Sequence, residues 1–164
     1  MRPTLRAIGL VCGKDLRIEA RTREITVSAG LFALLVAVLT SLSFFVDDLG
    51  APRTAPGVLW VAIAFSGVLV VGRSWARERE NDAMRGLFLS PIPRAAIFAG
   101  KTLSTLAVLA LVEVLLVPVV GILFRADLLA VIGPLVVLLF LGTLGFAAAG
   151  TLFGAMSVKT RARE

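Results

Sequence analysis

Apolar positions dominate four stretches of the chain, and polar residues gather between them. Residues 25–46 run for 22 positions without a charge, and residues 55–72 form a second uncharged run with Pro56 near its start. Residues 102–124 contain one acid, Glu113, and residues 128–158 form an uncharged run of 31 positions. A hydrocarbon core of ~30 Å needs about 20 helical residues, so each stretch is long enough to span a bilayer. Backbone polar groups in lipid must be satisfied within the segment, which makes helices the expected element. The fourth run would reach about 46 Å as a straight helix, so it must tilt, bend at Pro134 or continue beyond the membrane. The pattern predicts an all-α polytopic bundle with four transmembrane helices.

The polar intervals are not equivalent. Arg2, Arg6, Lys14, Arg17, Arg21 and Arg23 precede the first run. Arg73, Arg77, Arg79, Arg85, Arg94 and Lys101 lie between the second and third, and Lys159, Arg161 and Arg163 follow the fourth. The other two connections hold only Arg53 and Arg125, so fifteen of the 17 basic residues fall on one side. The positive-inside bias then puts both termini and the central segment in the cytoplasm. A formal charge of +6 and a pI near 11.0 are explained by topology, with no need for a nucleic-acid partner. The first run exceeds the 7–15 residues of a signal-peptide core and is read as retained.

Composition agrees with this picture and removes several chemistries. Hydrophobic residues make up 58% of the chain and charged ones 17%, with a mean hydropathy of +0.94. Soluble domains carry about 25% charged residues. With no His and with Cys12 as the only cysteine, the usual zinc sites and His-dependent catalytic triads are excluded. The run Gly9-Leu-Val-Cys-Gly-Lys14 lacks the spacing of a phosphate loop, and Asp15 stands where Ser or Thr is needed. The chain is therefore expected to be non-catalytic, with no cofactor or metal of its own, and any ATP must be bound by another chain.

Two polar segments are candidates for function. Residues 1–24 place Leu5, Ile8, Cys12 and Leu16 at helical spacing, which fits an amphipathic helix lying in the membrane interface, the alternative being a solvated basic leader that only sets topology. Residues 73–101 hold a second amphipathic pattern, with Met84, Leu87 and Phe88 on one edge and Arg77, Asn81 and Arg85 on another. Asn81 or Asp82 can cap a short helix there, Pro91 ends it, and Pro93 begins the next helix. Such a helix has no core of its own, so it lies on lipid, packs on the bundle or fits a groove on a cytosolic partner. Inside the membrane, Glu113 is either a pathway residue or a carboxyl bonded to a neighbouring helix, with Pro118 a kink nearby. Gly150 and Gly154 form a GxxxG pair suited to close helix packing, internal or between subunits.

Amphipathic helix, two spans, charged amphipathic segment and further spans, in that order, resemble the permeases of ABC-2-type transporters. Lys14-Asp-Leu-Arg-Ile-Glu-Ala-Arg21, Ala55-Pro-Gly-Val-Leu-Trp60, Leu89-Ser-Pro-Ile-Pro93, Gly100-Lys101 and Gly142-Thr-Leu-Gly-Phe146, with the stretch from Arg79-Glu80 to Leu87, are similar to the cytochrome c maturation permeases, the CcmB or haem exporter protein B family. That resemblance implies a multi-pass bacterial inner-membrane subunit, present in two copies. Its expected partners are an ABC ATPase subunit, a haem-handling membrane protein and a haem chaperone, with haem at the level of the complex. ATP hydrolysis would drive release of the haem-loaded chaperone or handling of the haem itself. It also implies that residues 78–89 form the coupling helix, with Glu78, Arg79, Glu80, Met84, Arg85, Leu87 and Phe88 as the partner-binding surface. The family has six spans, so a chain with four is expected to be C-terminally truncated. Competing expectations are an ABC-2 permease for a lipid or drug and a membrane scaffold without a transport role.

Overall fold

The structure is a computed structural model that describes residues 2–43, 50–80, 93–128 and 130–161, with side chains for 4–43, 50, 52–78, 93–128 and 130–156. The described residues form five helices: α1 (Arg2–Thr22), α2 (Glu24–Ser43), α3 (Ala51–Glu80), α4 (Arg94–Leu123) and α5 (Ile132–Arg161). Four of them, α2 to α5, are long and apolar enough to cross a membrane. Among the described residues every element is helical. The chain is a multi-pass helical membrane protein.

Several boundaries differ from those of the apolar runs. The second run predicts a helix ending at residue 72, but α3 continues through the charged residues to Glu80. At its other end α3 begins at Ala51, before the apolar run, so Pro56 lies inside the helix and not in the first turn that the run implies. The third helix begins at Arg94, eight residues before the apolar run, directly after Pro93. The fourth begins at Ile132, so Pro134 falls in its first turn, where a missing N–H is harmless. Residues 81–92, with the expected short helix and its caps, lie outside the described residues.

Small residues set the helix spacing. Ala29, Ala33 and Ala37 recur every fourth position on α2 and are fully buried beside Ala55, Leu59 and Ala62 of α3. Ser66 Oγ donates to the Ala29 carbonyl at 3.1 Å, closing that seam with a buried interhelical bond. Four contacts zip α3 to α5: Trp60 over Gly142, Phe146 over Gly67, Val71 over Gly150 and Trp75 over Gly154. The two helices run parallel, and in each pair a glycine takes the bulk of a larger neighbour. The GxxxG pair is thus an internal seam between α3 and α5. Close backbone approach of this kind is how helices associate in lipid, where apolar side chains gain little by leaving the solvent.

The connections are tight. Arg23 alone separates α1 from α2, in the left-handed region at φ 53°. After α4, Arg125 takes the same conformation at φ 50°. Its N–H reaches the Ile122 carbonyl at 3.3 Å, and that of Ala126 reaches Gly121 at 3.0 Å. This pair of bonds satisfies carbonyls that a helix end otherwise leaves open. Asp127 Oδ1 then accepts from the Ala130 N–H at 3.2 Å on the way into α5.

Candidate functional site

The α1 helix docks along α4, and the docking depends on Gly100. A methyl there would stand 2.7 Å from Val11 Cβ and 3.0 Å from the Ile8 carbonyl oxygen. Ala7 and Val11 are buried in this contact, while Leu5 and Leu10 remain exposed on the other side. The expected apolar face of Leu5, Ile8, Cys12 and Leu16 is therefore divided between α4 and the outside. Burial, then the neighbouring Asp15 charge, pushes the Cys12 thiol above its ordinary pKa, which disfavours the reactive thiolate.

One residue beyond Gly100, Lys101 is 3% exposed. Its Nζ lies 3.1 Å from Asp15 Oδ2 on α1 and 3.0 Å from Glu78 Oε1 on α3. It donates to Ser74 Oγ at 3.3 Å and sits 5.5 Å from the centre of the Trp75 ring. Lys14 meets Glu78 Oε1 at 2.5 Å, and Ser104 Oγ donates to Asp15 Oδ2 at 3.2 Å. Burial alone would lower the Lys14 pKa, but the bond to Glu78 and the Asp15 and Glu78 charges outweigh it and raise it. Isolated charges at this depth would be costly, and here each has an opposite charge within reach.

A second set of ion pairs fixes the α1–α2 corner. Arg77 Nη2 lies 3.3 Å from Glu19 Oε2, and Glu19 Oε1 accepts the Thr26 N–H at 2.7 Å. Arg73 Nη1 pairs with Glu24 Oε1 at 2.7 Å. Arg73, Arg77 and Lys101 are thus structural cations as well as markers of topology. The sequence pattern assigns no individual role to Lys14, Asp15, Glu19 or Lys101. The one readable signal is a lysine immediately after a glycine at the mouth of an apolar run.

Glu78, expected on a partner-binding surface, is instead 5% exposed and turned into this cluster. The physical reason is that α3 extends past it and brings its carboxylate between Lys14 and Lys101. Arg79 and Glu80 end α3, and nothing is described of their side chains. Met84, Arg85, Leu87 and Phe88 lie outside the described residues. What the geometry does establish is that both stems of segment 81–92 enter one ion-paired cluster with α1.

Within the membrane, Glu113 is 8% exposed and accepts a hydrogen bond at Oε1 from Thr143 Oγ1 of α5. Interhelical bonds of this type are worth about 0.6–1.7 kcal/mol in membranes. Glu113→Gln keeps an acceptor for Thr143 and is expected to melt close to the wild type in detergent. Glu113→Leu is expected to lose about 1 kcal/mol in the same thermal unfolding measurement. A glutamine variant less stable than the leucine one would overturn this packing role. Among the described residues no group of three or more Cys, Asp or Glu side chains is gathered to hold a metal.

Comparison with known proteins points in one direction. A family model described as CcmB protein matches residues 6–164. The chain is 31% identical over 152 residues to heme exporter protein B of Paracoccus denitrificans, covering 90% of this chain and 67% of that one. It is 25% identical over 152 residues to heme exporter protein B of Bradyrhizobium diazoefficiens, covering 93% and 68%. With the protein of the same name from Escherichia coli K12 it shares 29% identity over 90 residues, covering 55% and 41%. The chain thus spans about two-thirds of the length of the first two relatives. No solved structure matches. A match that begins in α1 and runs through all four apolar helices means that the chain belongs to the CcmB family.

Proposed function

We propose that this chain is the permease subunit of an ABC complex for cytochrome c maturation, paired with a separate ATPase subunit in the bacterial inner membrane. Both described termini and segment 81–92 face the cytoplasm in this reading, in keeping with the distribution of basic residues. The family match and the name of the relatives support haem as what the complex handles. This chain contains no His, so it offers no imidazole to haem iron. Its part is mechanical. A haem-handling membrane protein, a haem chaperone and a second copy of the permease complete the assembly.

The observation that carries the reading is the convergence of α3 and α4 on one charge cluster. Segment 81–92 joins the two helices, and Glu78 to Lys101 at 3.0 Å fastens their stems just inside it. A push on the segment by a closing ATPase dimer therefore reaches α3 and α4 together. From α3 it passes to α5 through the glycine contacts, and from α4 to α1 at Gly100. Hydrolysis belongs to the partner, and displacement of the bundle belongs to this chain.

Co-purification of the detergent-solubilised chain with its ATPase tests the proposal. Leu87→Asp and Phe88→Asp put a charge on the apolar edge of the segment and are each expected to reduce retained ATPase at least tenfold. A loss of about 1.4 kcal/mol suffices for that change. Undiminished association in both variants, with helix content intact, would remove the coupling role.

A further inference from the structure

A cleft of about 350 Å³ opens between α1, α3 and α4 at the level where the apolar spans begin. Its charged lining is Lys14, Asp15, Glu19, Arg77, Glu78 and Lys101, and its apolar lining includes Ile25, Val70 and Val108. Three acids face three bases, so the net charge of the lining attracts neither a free anion nor a free cation strongly. One polar atom is left over. Glu78 Oε1 takes both Lys14 and Lys101, whereas Oε2 is buried without a hydrogen-bond partner. A buried acceptor in that state calls for a donor, and Glu78 itself is one of the residues that line the cleft. Lys14, with its side chain 39% exposed, retains donors for an anionic group at the mouth.

We propose that this cleft binds the headgroup of an aminophospholipid. The primary ammonium donates to Glu78 Oε2, the phosphate is held by Lys14, and the glycerol end leads out along Ile25, Val70 and Val108 towards the acyl layer. A ligand with one positive group, one negative group and an apolar tail matches a lining that is balanced in charge and partly apolar. Its depth fits as well, because the charged lining includes Lys14, Asp15 and Glu19 of α1, and Ile25, Val70 and Val108 belong to the spans themselves. The site does not depend on the transport reading, since it requires only that α2, α3 and α4 stand in a bilayer.

The number of N–H groups on the lipid amine is the variable to test. The full chain, purified in mild detergent, is incubated with phosphatidylethanolamine, its mono- and dimethyl derivatives, phosphatidylcholine and phosphatidylglycerol. Bound lipid is then counted by native mass spectrometry. Retention of phosphatidylethanolamine is expected to exceed that of phosphatidylcholine about tenfold and to fall as N–H donors are replaced by methyls. Glu78→Met, which leaves no acceptor, should bring the ratio close to one, whereas Lys14→Met should lower both lipids alike, because both carry the phosphate. Equal retention of the two by the wild type overturns the proposal. So does phosphatidylglycerol held as well as phosphatidylethanolamine, which would make phosphate the recognised group, or no retained lipid, which would leave a hydrated cleft. Should Glu78→Met fail to fold, the methylation series on the wild type still separates these outcomes.

Discussion

Gly100→Ala is expected to destabilise the protein, while Gly72→Ala is expected to be neutral or stabilising, although both replace a helical glycine by the best helix former. Glycine costs up to about 1 kcal/mol relative to alanine in a helix interior, so propensity alone favours both changes. The surroundings decide. A Cβ on Gly72 meets nothing within 4 Å. On Gly100 it would lie 2.7 Å from Val11 Cβ and 3.0 Å from the Ile8 carbonyl oxygen. The carbonyl is backbone and cannot rotate aside, so α1 must move as a body. Overpacking of a tight contact costs about 1–3 kcal/mol. The displacement would also open the Lys101–Asp15 pair one residue away, which stands at 3.1 Å. Thermal unfolding followed by circular dichroism gives the stabilities, and limited proteolysis reports whether α1 is released. Equal melting temperatures for the two variants would show that α1 is not held at Gly100.

Much of this architecture is legible as hydropathy, because a bilayer imposes length and polarity on each span regardless of its neighbours. The four apolar helices lie where uncharged runs predict them. Their ends do not, and the reason is tertiary. Nothing between Arg73 and Glu80 marks a continuing membrane helix, since Arg73, Arg77, Glu78, Arg79 and Glu80 are all charged. The helix persists because Arg73 and Arg77, a turn apart on α3, pair with Glu24 and Glu19 across the α1–α2 corner. Those partners lie 49 and 58 residues away in sequence and are invisible to any local pattern. The glycine seam divides in the same way. Gly150 and Gly154 announce a packing surface by their spacing, but their occupants, Val71 and Trp75, are known only once α3 is placed beside α5. Basic residues between the spans read naturally as topology signals, and that reading hides the ion pairs of Arg73, Arg77 and Lys101. Charge counting records sign and location, whereas burial and pairing depend on the fold.

Lys101→Met is expected to be the most damaging single substitution in the chain, at about 3–5 kcal/mol, the usual loss when one partner of a buried pair is removed. Methionine fills much of the same space, so the penalty is electrostatic. Asp15 and Glu78 are left in the protein with their principal buried cation gone, at side-chain exposures of 14% and 5%. Lys14 still reaches Glu78 at 2.5 Å and, at 3.3 Å, Asp15, which limits the loss without abolishing it. If unpaired charge is the cause, neutralising the abandoned acids must recover stability. The triple variant Lys101→Met, Asp15→Asn, Glu78→Gln is therefore expected to melt well above Lys101→Met alone, because the stranded buried acids are gone and the cation that remains, Lys14, is 39% exposed. Ser104 Oγ could still donate to an asparagine oxygen at residue 15, so the amides do not create a new vacancy. Thermal unfolding of the single and triple variants in detergent gives the comparison directly. If the single variant melts with the wild type, Lys101 is not the keystone of the α1, α3 and α4 stems. If the triple variant is no better than the single one, the loss came from packing around Trp75 and Ser74, and not from stranded charge.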